Sequence, residues 1–457
     1  MKALLIAGMA ATALCVAHAR AADIPAKAPV RTQVVAPLGD WTGFYAGIYA
    51  GGGVNQSSAT SDDVVIGTSV DINGTGHTGG VQAGYNWQVS RHWVIGVEGD
   101  IGWLGIDRSF TDWGDPFFFN VKTGAYGTLR GRAGYSTGPS LLYATAGAAF
   151  INVKDRFGPT GTVVTHSKTV NGWTAGGGIE TMLARNWSAK VEYLYIDAGD
   201  RSFASGTDIA YFDNRFHVIK VGLNYQFGGG PAIAGPGAAG LPVKAPVAAS
   251  HGSWTGFYTG LNAGIGIAHS KGDEGCCTGS VDINDSGFTG GVQAGYNVQL
   301  GPRWVAGIEG DIGWLGISHS LWPLNESPSR FGIKTDAYGT LRGRFGYSTG
   351  PSLLYATVGA AIVRVENIFG SPGGTGAVFT NSKTATGWTA GGGIETVLAA
   401  NWSAKTEYLY IDAGGQTVTD PTDPMTLRFE KNRFHVVKFG LNYKFGDIGK
   451  APIAAKY

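Results

Sequence analysis

The chain has 457 residues and a formal net charge of +1; only 15% of its side chains are charged, while 75 residues are glycine and 12% are aromatic. A balanced charge offers no basic surface to nucleic acid, and three cysteines exclude a disulfide-stapled fold. Few charges beside many glycines and aromatics suit a small-bore membrane barrel better than a soluble globular domain: glycine fits a crowded interior and aromatics sit at the bilayer interfaces.

Residues 1–21 read as a signal peptide. Lys2 supplies the charge, residues 3–17 are an apolar run too short to span, and Ala19-Arg20-Ala21 gives the small residues of a cleavage site. Cys15 lies inside this segment, and Leu14 before it does not suit a lipoprotein site. Residues 22–40, with Pro25, Pro29 and Pro37, read as an extended periplasmic leader. No later stretch is a run of 18 or more apolar residues free of Gly and Pro, so the mature chain is expected to leave the cytoplasm without a transmembrane helix.

Trp41 opens the first of two long repeats with WTGFY, which returns at Trp254. TGGVQAGYN (Thr78, Thr289), AYGTLRGR (Ala125, Ala337), GYSTGPSLLYAT (Gly134, Gly346) and GWTAGGGIET (Gly172, Gly387) recur in the same order. The repeats span residues 41–227 and 253–445. Residues 228–252, rich in Gly, Pro and Ala, link them, and residues 446–457 form a periplasmic tail.

Eight strands are expected in the first repeat, at 41–53, 77–88, 93–104, 122–135, 140–154, 168–183, 187–198 and 214–227. Short turns near 89–92, 136–139 and 184–186 alternate with loops at 54–76, 105–121, 155–167 and 199–213. Short turns on one side and long loops on the other are the outer-membrane barrel pattern, with the turns periplasmic.

The strand signal is a period of two. His217, Ile219, Val221, Leu223, Tyr225 and Phe227 face one way; Phe216, Val218, Lys220, Gly222, Asn224 and Gln226 face the other. This predicts an oily outside and a wet inside. Trp93, Ile95, Val97, Ile101 and Trp103 likewise oppose Glu98 and Asp100, and in the next strand Ala125, Leu129 and Ala133 oppose Arg130 and Arg132. Two acids and two arginines on hairpin partners then share one interior. Buried charge is costly unless paired, so a lumenal ion-pair ladder is expected from Glu98, Asp100, Arg130 and Arg132, and from Glu309, Asp311, Arg342 and Arg344.

WTGFYAGIYAG, AYGTLRGR, the GGGIE–NWSAK–EYLYI hairpin and the terminal GLNYQF together resemble the outer-membrane immunogenic protein family, porin-annotated eight-stranded barrels of Gram-negative bacteria. The resemblance covers both repeats. It implies residence in the cell outer membrane, contact with its lipid and lipopolysaccharide, and delivery by the outer-membrane assembly machinery. Those relatives are usually single barrels. The duplication therefore leaves two architectures: all-β with two tandem eight-stranded antiparallel barrels, which is favoured, or one sixteen-stranded barrel acting as a diffusion porin.

Several motifs invite sharper readings. Glu98 and Asp100 resemble a carboxylate pair, but pairing with Arg130 and Arg132 explains them better. Gly176-Gly177-Gly178 lacks the Lys-Ser/Thr of a phosphate loop. Cys276-Cys277, with His269 and Asp273 nearby, are too few ligands for a metal site. His217 and His435 are read as interfacial residues, with haem binding as the rival. Lys27-Ala28-Pro29, Lys244-Ala245-Pro246 and Lys450-Ala451-Pro452 are stiffened basic spacers or contacts to peptidoglycan. Tyr225 and Phe227, and Tyr443 and Phe445, are aromatic strand ends of the assembly-signal type. The expected function is non-enzymatic, with no catalytic residue, cofactor or metal: membrane anchorage and surface-loop display. A porin, an adhesin and a ligand-binding surface are the alternatives.

Overall fold

The computed structural model describes residues 40–61, 69–71, 74–111, 117–159, 163–184, 186–205, 208–227, 253–274, 280–321, 331–370, 378–419 and 426–446. The expected signal peptide and linker lie outside these residues, as do the leader before Asp40, the tail after Gly446, the three Lys-Ala-Pro motifs and all three cysteines. The first repeat folds into β1 (Gly43–Ser61), β2 (Gly74–Gln88), β3 (Trp93–Gly105), β4 (Phe117–Ser136), β5 (Ser140–Pro159), β6 (Val164–Ala184), β7 (Trp187–Ser205) and β8 (Asp208–Phe227). The second gives β9 (Gly256–Glu274), β10 (Ser280–Gln299), β11 (Trp304–Leu315), β12 (Phe331–Ser348), β13 (Ser352–Gly370), β14 (Val378–Ala399), β15 (Trp402–Asp412) and β16 (Thr426–Lys444). Four short strands, Ser69–Asp71, Asp107–Thr111, Ser318–Leu321 and Gln416–Thr419, extend hairpins at the long-connection end.

Each repeat closes on itself. β1 pairs antiparallel with β8, with Phe44 opposite Phe227, and β9 pairs with β16, with Tyr258 opposite Lys444. The sixteen-stranded alternative is thereby overturned, because it requires β8 to pair with β9. Closure satisfies every backbone donor and acceptor of the wall without an edge.

Two sequence expectations need correction. Much of the expected long loops is strand: β1 runs to Ser61, β4 starts at Phe117, β5 runs to Pro159 and β8 starts at Asp208. Pairing continues beyond the alternating apolar segment because the ladder needs only a backbone partner there, not an oily face. Trp41, expected in the first strand, instead folds under the short-turn end, where its Nε1 donates to Gly138 O at 2.9 Å. Trp254 does the same, donating to Ser348 Oγ at 3.0 Å.

The outward face of β3 shows the alternation: Trp93, Ile95, Val97, Ile101 and Trp103 are all exposed. From Trp93 to Trp103, at ~3.3 Å per residue and a tilt of ~40°, the strand climbs ~25 Å, the height of a barrel's apolar band. Trp93 packs against Tyr135, and Trp187 against Tyr225, at the lower rim; Trp173 packs against Tyr195 at the upper. A bulge between Thr123 and Tyr126 resets the phase of β4, so that Val121 and Thr123 face inward above it and Tyr126, Thr128, Arg130 and Arg132 below.

Candidate functional site

An eight-stranded barrel is just wide enough for its own side chains, so the interior is the place to look for function. In the first barrel eight charged groups meet at mid-height, all buried: Glu98 and Asp100 from β3, Arg130 and Arg132 from β4, Glu180 from β6, Lys190 and Glu192 from β7, and Lys220 from β8. Four are acids and four are bases, so the layer is formally neutral. The strand register puts opposite signs side by side: Glu98 faces Arg130, Glu180 faces Lys190 and Glu192 faces Lys220.

Arg130 is the hub. It pairs with Glu98, and donates from Nη2 to Asp100 and from Nη1 to Glu192, each at 2.9 Å. Its Nε donates to Thr128 Oγ1 at 2.9 Å. Arg132 donates to Glu180 at 2.8 Å and to Tyr45 OH at 3.0 Å, and stacks 4.0 Å from the centre of the Tyr143 ring. Lys190 Nζ lies 2.8 Å from Glu98, and Lys220 Nζ 3.0 Å from Asp100. Neutral donors add to these contacts: Tyr45 OH to Glu98 at 2.7 Å, Tyr143 OH to Glu192 at 3.0 Å, and Ser188 Oγ to Glu180 at 2.6 Å. Buried ions persist only under such compensation. Gly222 makes room for it, since a Cβ there would lie 3.1 Å from Lys190 Cγ and 2.9 Å from Gln82 Nε2.

The second barrel repeats the layer. Arg342 reaches Glu309 at 2.6 Å, Asp311 at 2.5 Å and Glu407 at 2.9 Å. Arg344 pairs with Glu395 at 2.8 Å, Lys405 with Glu309 at 2.8 Å, and Lys438 with Asp311 at 3.1 Å. Glu309, Asp311 and Glu407 bring oxygens within 4.8 Å of one another, as a metal site would. Arg342 bonds to all three, however, so the positive charge is already supplied by protein.

Apolar layers seal the ionic layer above and below. Toward the long hairpins of the first barrel lie Leu104, Ile106, Val121, Ile151, Val153, Leu194, Ile196, Phe216 and Val218, with Tyr49 and Tyr126. Toward the short turns lie Trp41, Val94, Leu141, Tyr143 and Met182. The second barrel has corresponding clusters around Phe434 and Val436, and around Trp254 and Leu353. The interior is filled by side chains, in which apolar groups share the space with the polar and charged residues expected on the inward face. On β7 and β8 the inward positions change from apolar at the long-hairpin end (Leu194, Ile196, Phe216, Val218) to charged at mid-height (Lys190, Glu192, Lys220), while buried Gln82, Asn86, Asn224 and Gln226 keep the short-turn half partly polar.

All eight ladder residues expected from sequence lie in these two layers. Glu180, Lys190, Glu192 and Lys220, with their counterparts Glu395, Lys405, Glu407 and Lys438, were missed. Their signal was parity: each sits on the inward phase of its strand and recurs in the second repeat. Tyr225 and Phe227 form an edge-on aromatic pair on the outward face at the lower rim, as do Tyr443 and Phe445. His217 has both ring nitrogens engaged, Nδ1 with Tyr193 OH at 2.7 Å and Nε2 with Gln56 Oε1 at 3.0 Å, so it has no free nitrogen for haem iron. His435 Nδ1 is held by Tyr408 OH at 2.8 Å.

The model of the outer membrane protein beta-barrel domain matches residues 9–227 and again 237–445. The chain belongs to this family. It is an outer-membrane β-barrel protein carrying the family's domain twice. It is 38% identical over 215 residues to the 31 kDa outer-membrane immunogenic protein of Brucella melitensis, covering 45% of this chain and 88% of that protein. To the 22 kDa outer membrane protein of Rhizobium leguminosarum it is 34% identical over 237 residues, covering 49% of this chain and 99% of that protein. Each of these relatives thus corresponds to about one repeat. Neisserial surface protein A aligns with 17% identity and a TM-score of 0.24, over 42% of this chain and 98% of that structure. In outer-membrane barrels generally the long connections face the cell surface and the short turns the periplasm.

Proposed function

We propose that this outer-membrane barrel protein is a non-enzymatic, non-conducting anchor that holds two sets of surface hairpins in the outer leaflet. The observation that carries this reading is the neutral ionic layer sealed between two apolar layers. An ion crossing either barrel would have to break Arg130 or Arg342 away from three carboxylates and then pass the buried side chains of the apolar clusters. Each carboxylate of the two layers has an arginine or lysine partner, which supports a structural role for them.

In this reading residues 41–227 and 253–445 are the two membrane domains, and residues 228–252 are a periplasmic tether. Tyr225 and Phe227, and Tyr443 and Phe445, are the strand-end signals offered to the assembly machinery. Lipopolysaccharide packs around the surface hairpins, and the Lys-Ala-Pro segments are available to peptidoglycan on the other side.

Single-channel recording of the purified protein in a planar bilayer tests the reading. The expected trace has no porin-sized steps. Steady steps on the nanosiemens scale would refute it in favour of a diffusion porin.

A further inference from the structure

We propose that the two barrels are held side by side in the membrane as a fixed pair, chiefly through a self-complementary face formed by the outward sides of β5–β7 and β13–β15, beside which Gln56 of β1 donates to Asp285 of β10 at 3.2 Å. The first observation is exposure. Outward side chains elsewhere face lipid, as with Leu129 at 63% and its counterpart Leu341 at 59% exposed. On this face the outward Ile179 is only 3% exposed and Ile394 only 2%. They join Ala189, Val191, Leu142 and Leu183 of the first barrel, and Leu354 and Ala404 of the second, in one apolar cluster.

The second observation is symmetry. Ser140 and Ser352 occupy the same position in GPSLLYAT, and their hydroxyls meet at 2.5 Å. Ser140 also bonds Thr181 at 2.9 Å, and Ser352 bonds Thr396 at 3.0 Å. Thr181 and Thr396 are again equivalent, in GGGIET. Four hydroxyls therefore run across the seam as Thr181–Ser140–Ser352–Thr396, reading the same from either end. Leu142 with Leu354, Ile179 with Ile394, and Ala189 with Ala404 are equivalent pairs as well. A contact in which each surface meets its own counterpart is isologous, the geometry of a two-fold dimer. Here the dimer is fused into one chain.

The chemistry suits the bilayer. Lipid gives apolar faces no hydrophobic reason to associate, so barrels pair through close packing and hydrogen bonds that lipid cannot supply. Ala189 and Ala404 permit close approach. The four hydroxyls, turned toward lipid on a lone barrel, satisfy one another across the seam. A fused pair fixes the spacing and orientation of the two sets of surface hairpins, which independent barrels would leave free.

Cysteine cross-linking in the full chain tests this. Ser140→Cys and Ser352→Cys are combined in a Cys276→Ser, Cys277→Ser background, and the protein is oxidised in outer membranes. The expected result is a disulfide within one chain in most molecules, seen as a shift in gel migration reversed by reductant. The control pair Leu129→Cys with Leu341→Cys should give none. Heat-modifiable migration before oxidation establishes that both barrels have folded. If the serine pair prevents folding, Leu142→Cys with Leu354→Cys, bridged by a short bis-maleimide, gives the same readout. Absence of the intrachain link in folded protein, or links formed only between separate chains, overturns the proposal.

Discussion

The two barrels carry the same ionic layer but stabilise one lysine differently. In the first, Lys220 has one carboxylate partner, Asp100, and its ammonium lies 4.4 Å from the centre of the Tyr49 ring. In the second, the position of Tyr49 is taken by Asn262, whose side chain instead donates to Gln293 at 3.1 Å. Lys438 there reaches two carboxylates, Asp311 at 3.1 Å and Glu407 at 3.4 Å. One buried ammonium is balanced by a carboxylate and an aromatic face, the other by two carboxylates. A closed lumen therefore fixes the number of charges more strictly than the identity of each contact, and a single tyrosine-to-asparagine change reroutes a bond without unbalancing the layer.

The comparison breaks most severely at what the barrels share. Arg130→Ala and Arg342→Ala each leave three buried carboxylates without their hub, and each should destabilise its own barrel by roughly 3–5 kcal/mol. Pulse proteolysis in urea, with the surviving fragment identified, assigns the loss to one barrel. Removing Glu98 together with Arg130 should cost less than the two single changes added, because the pair compensates itself.

On the outside, Val97→Arg should cost roughly 2–4 kcal/mol, since it sets a charge against lipid near mid-bilayer. Thr165→Arg, on an exposed stretch of β6 above the upper aromatic rim, should change the same urea midpoint very little. Equal costs at the two positions would mean that the inward and outward phases are misassigned.

Within the ionic layer, Lys438→Met should cost more than Lys220→Met, by about 1 kcal/mol or more, because it strands two carboxylates rather than one. Tyr49→Asn should sharpen the contrast: with the ring gone, Lys220 is expected to swing toward Glu192 and adopt the Lys438 arrangement. A crystal structure of that variant reads the distance directly.

The smallest effect lies above the membrane. Lys122 Nζ donates to Asp107 at 2.6 Å, and Asn120 donates as well; these bonds hold the Asp107 carboxyl below its usual range. A depressed folded value adds stability that is complete above the ordinary carboxylate pKa and is lost as pH falls through the lowered one. The pair is half exposed, so the effect is local and weak. The Asp107 carboxyl resonance should titrate below that of free aspartate, and Lys122→Met should return it toward the ordinary value.

Much of this was legible in the sequence. Period-two alternation from Trp93 to Trp103 gave the wall, and parity placed Glu98, Asp100, Arg130 and Arg132 inside. The repeated GLNYQF and GLNYKF endings pointed to two units, each with its own terminal strand. What alternation could not show was how the inward positions divide along the barrel axis. Leu194, Ile196, Phe216 and Val218 share the inward phase of Glu192 and Lys220, and only the height of each strand separates the apolar layer from the charged one. Height depends on register, which is set by pairing between strands far apart in sequence. Trp41 was misread for a related reason: its aromatic character suits a rim as well as a plug, and the difference is a hydrogen bond to Gly138 almost a hundred residues away. The strand extensions beyond the membrane carry no apolar alternation, so a pattern search stops where the lipid does.

The central claim is that each barrel is closed and filled by its own residues. Expression of residues 22–227 behind a signal peptide, with recovery of the outer membrane, tests it most directly. The account predicts a membrane-inserted, protease-resistant product whose gel migration shifts on heating, without any contribution from the second repeat. A half-chain that fails to insert, while the full chain inserts normally, would contradict it.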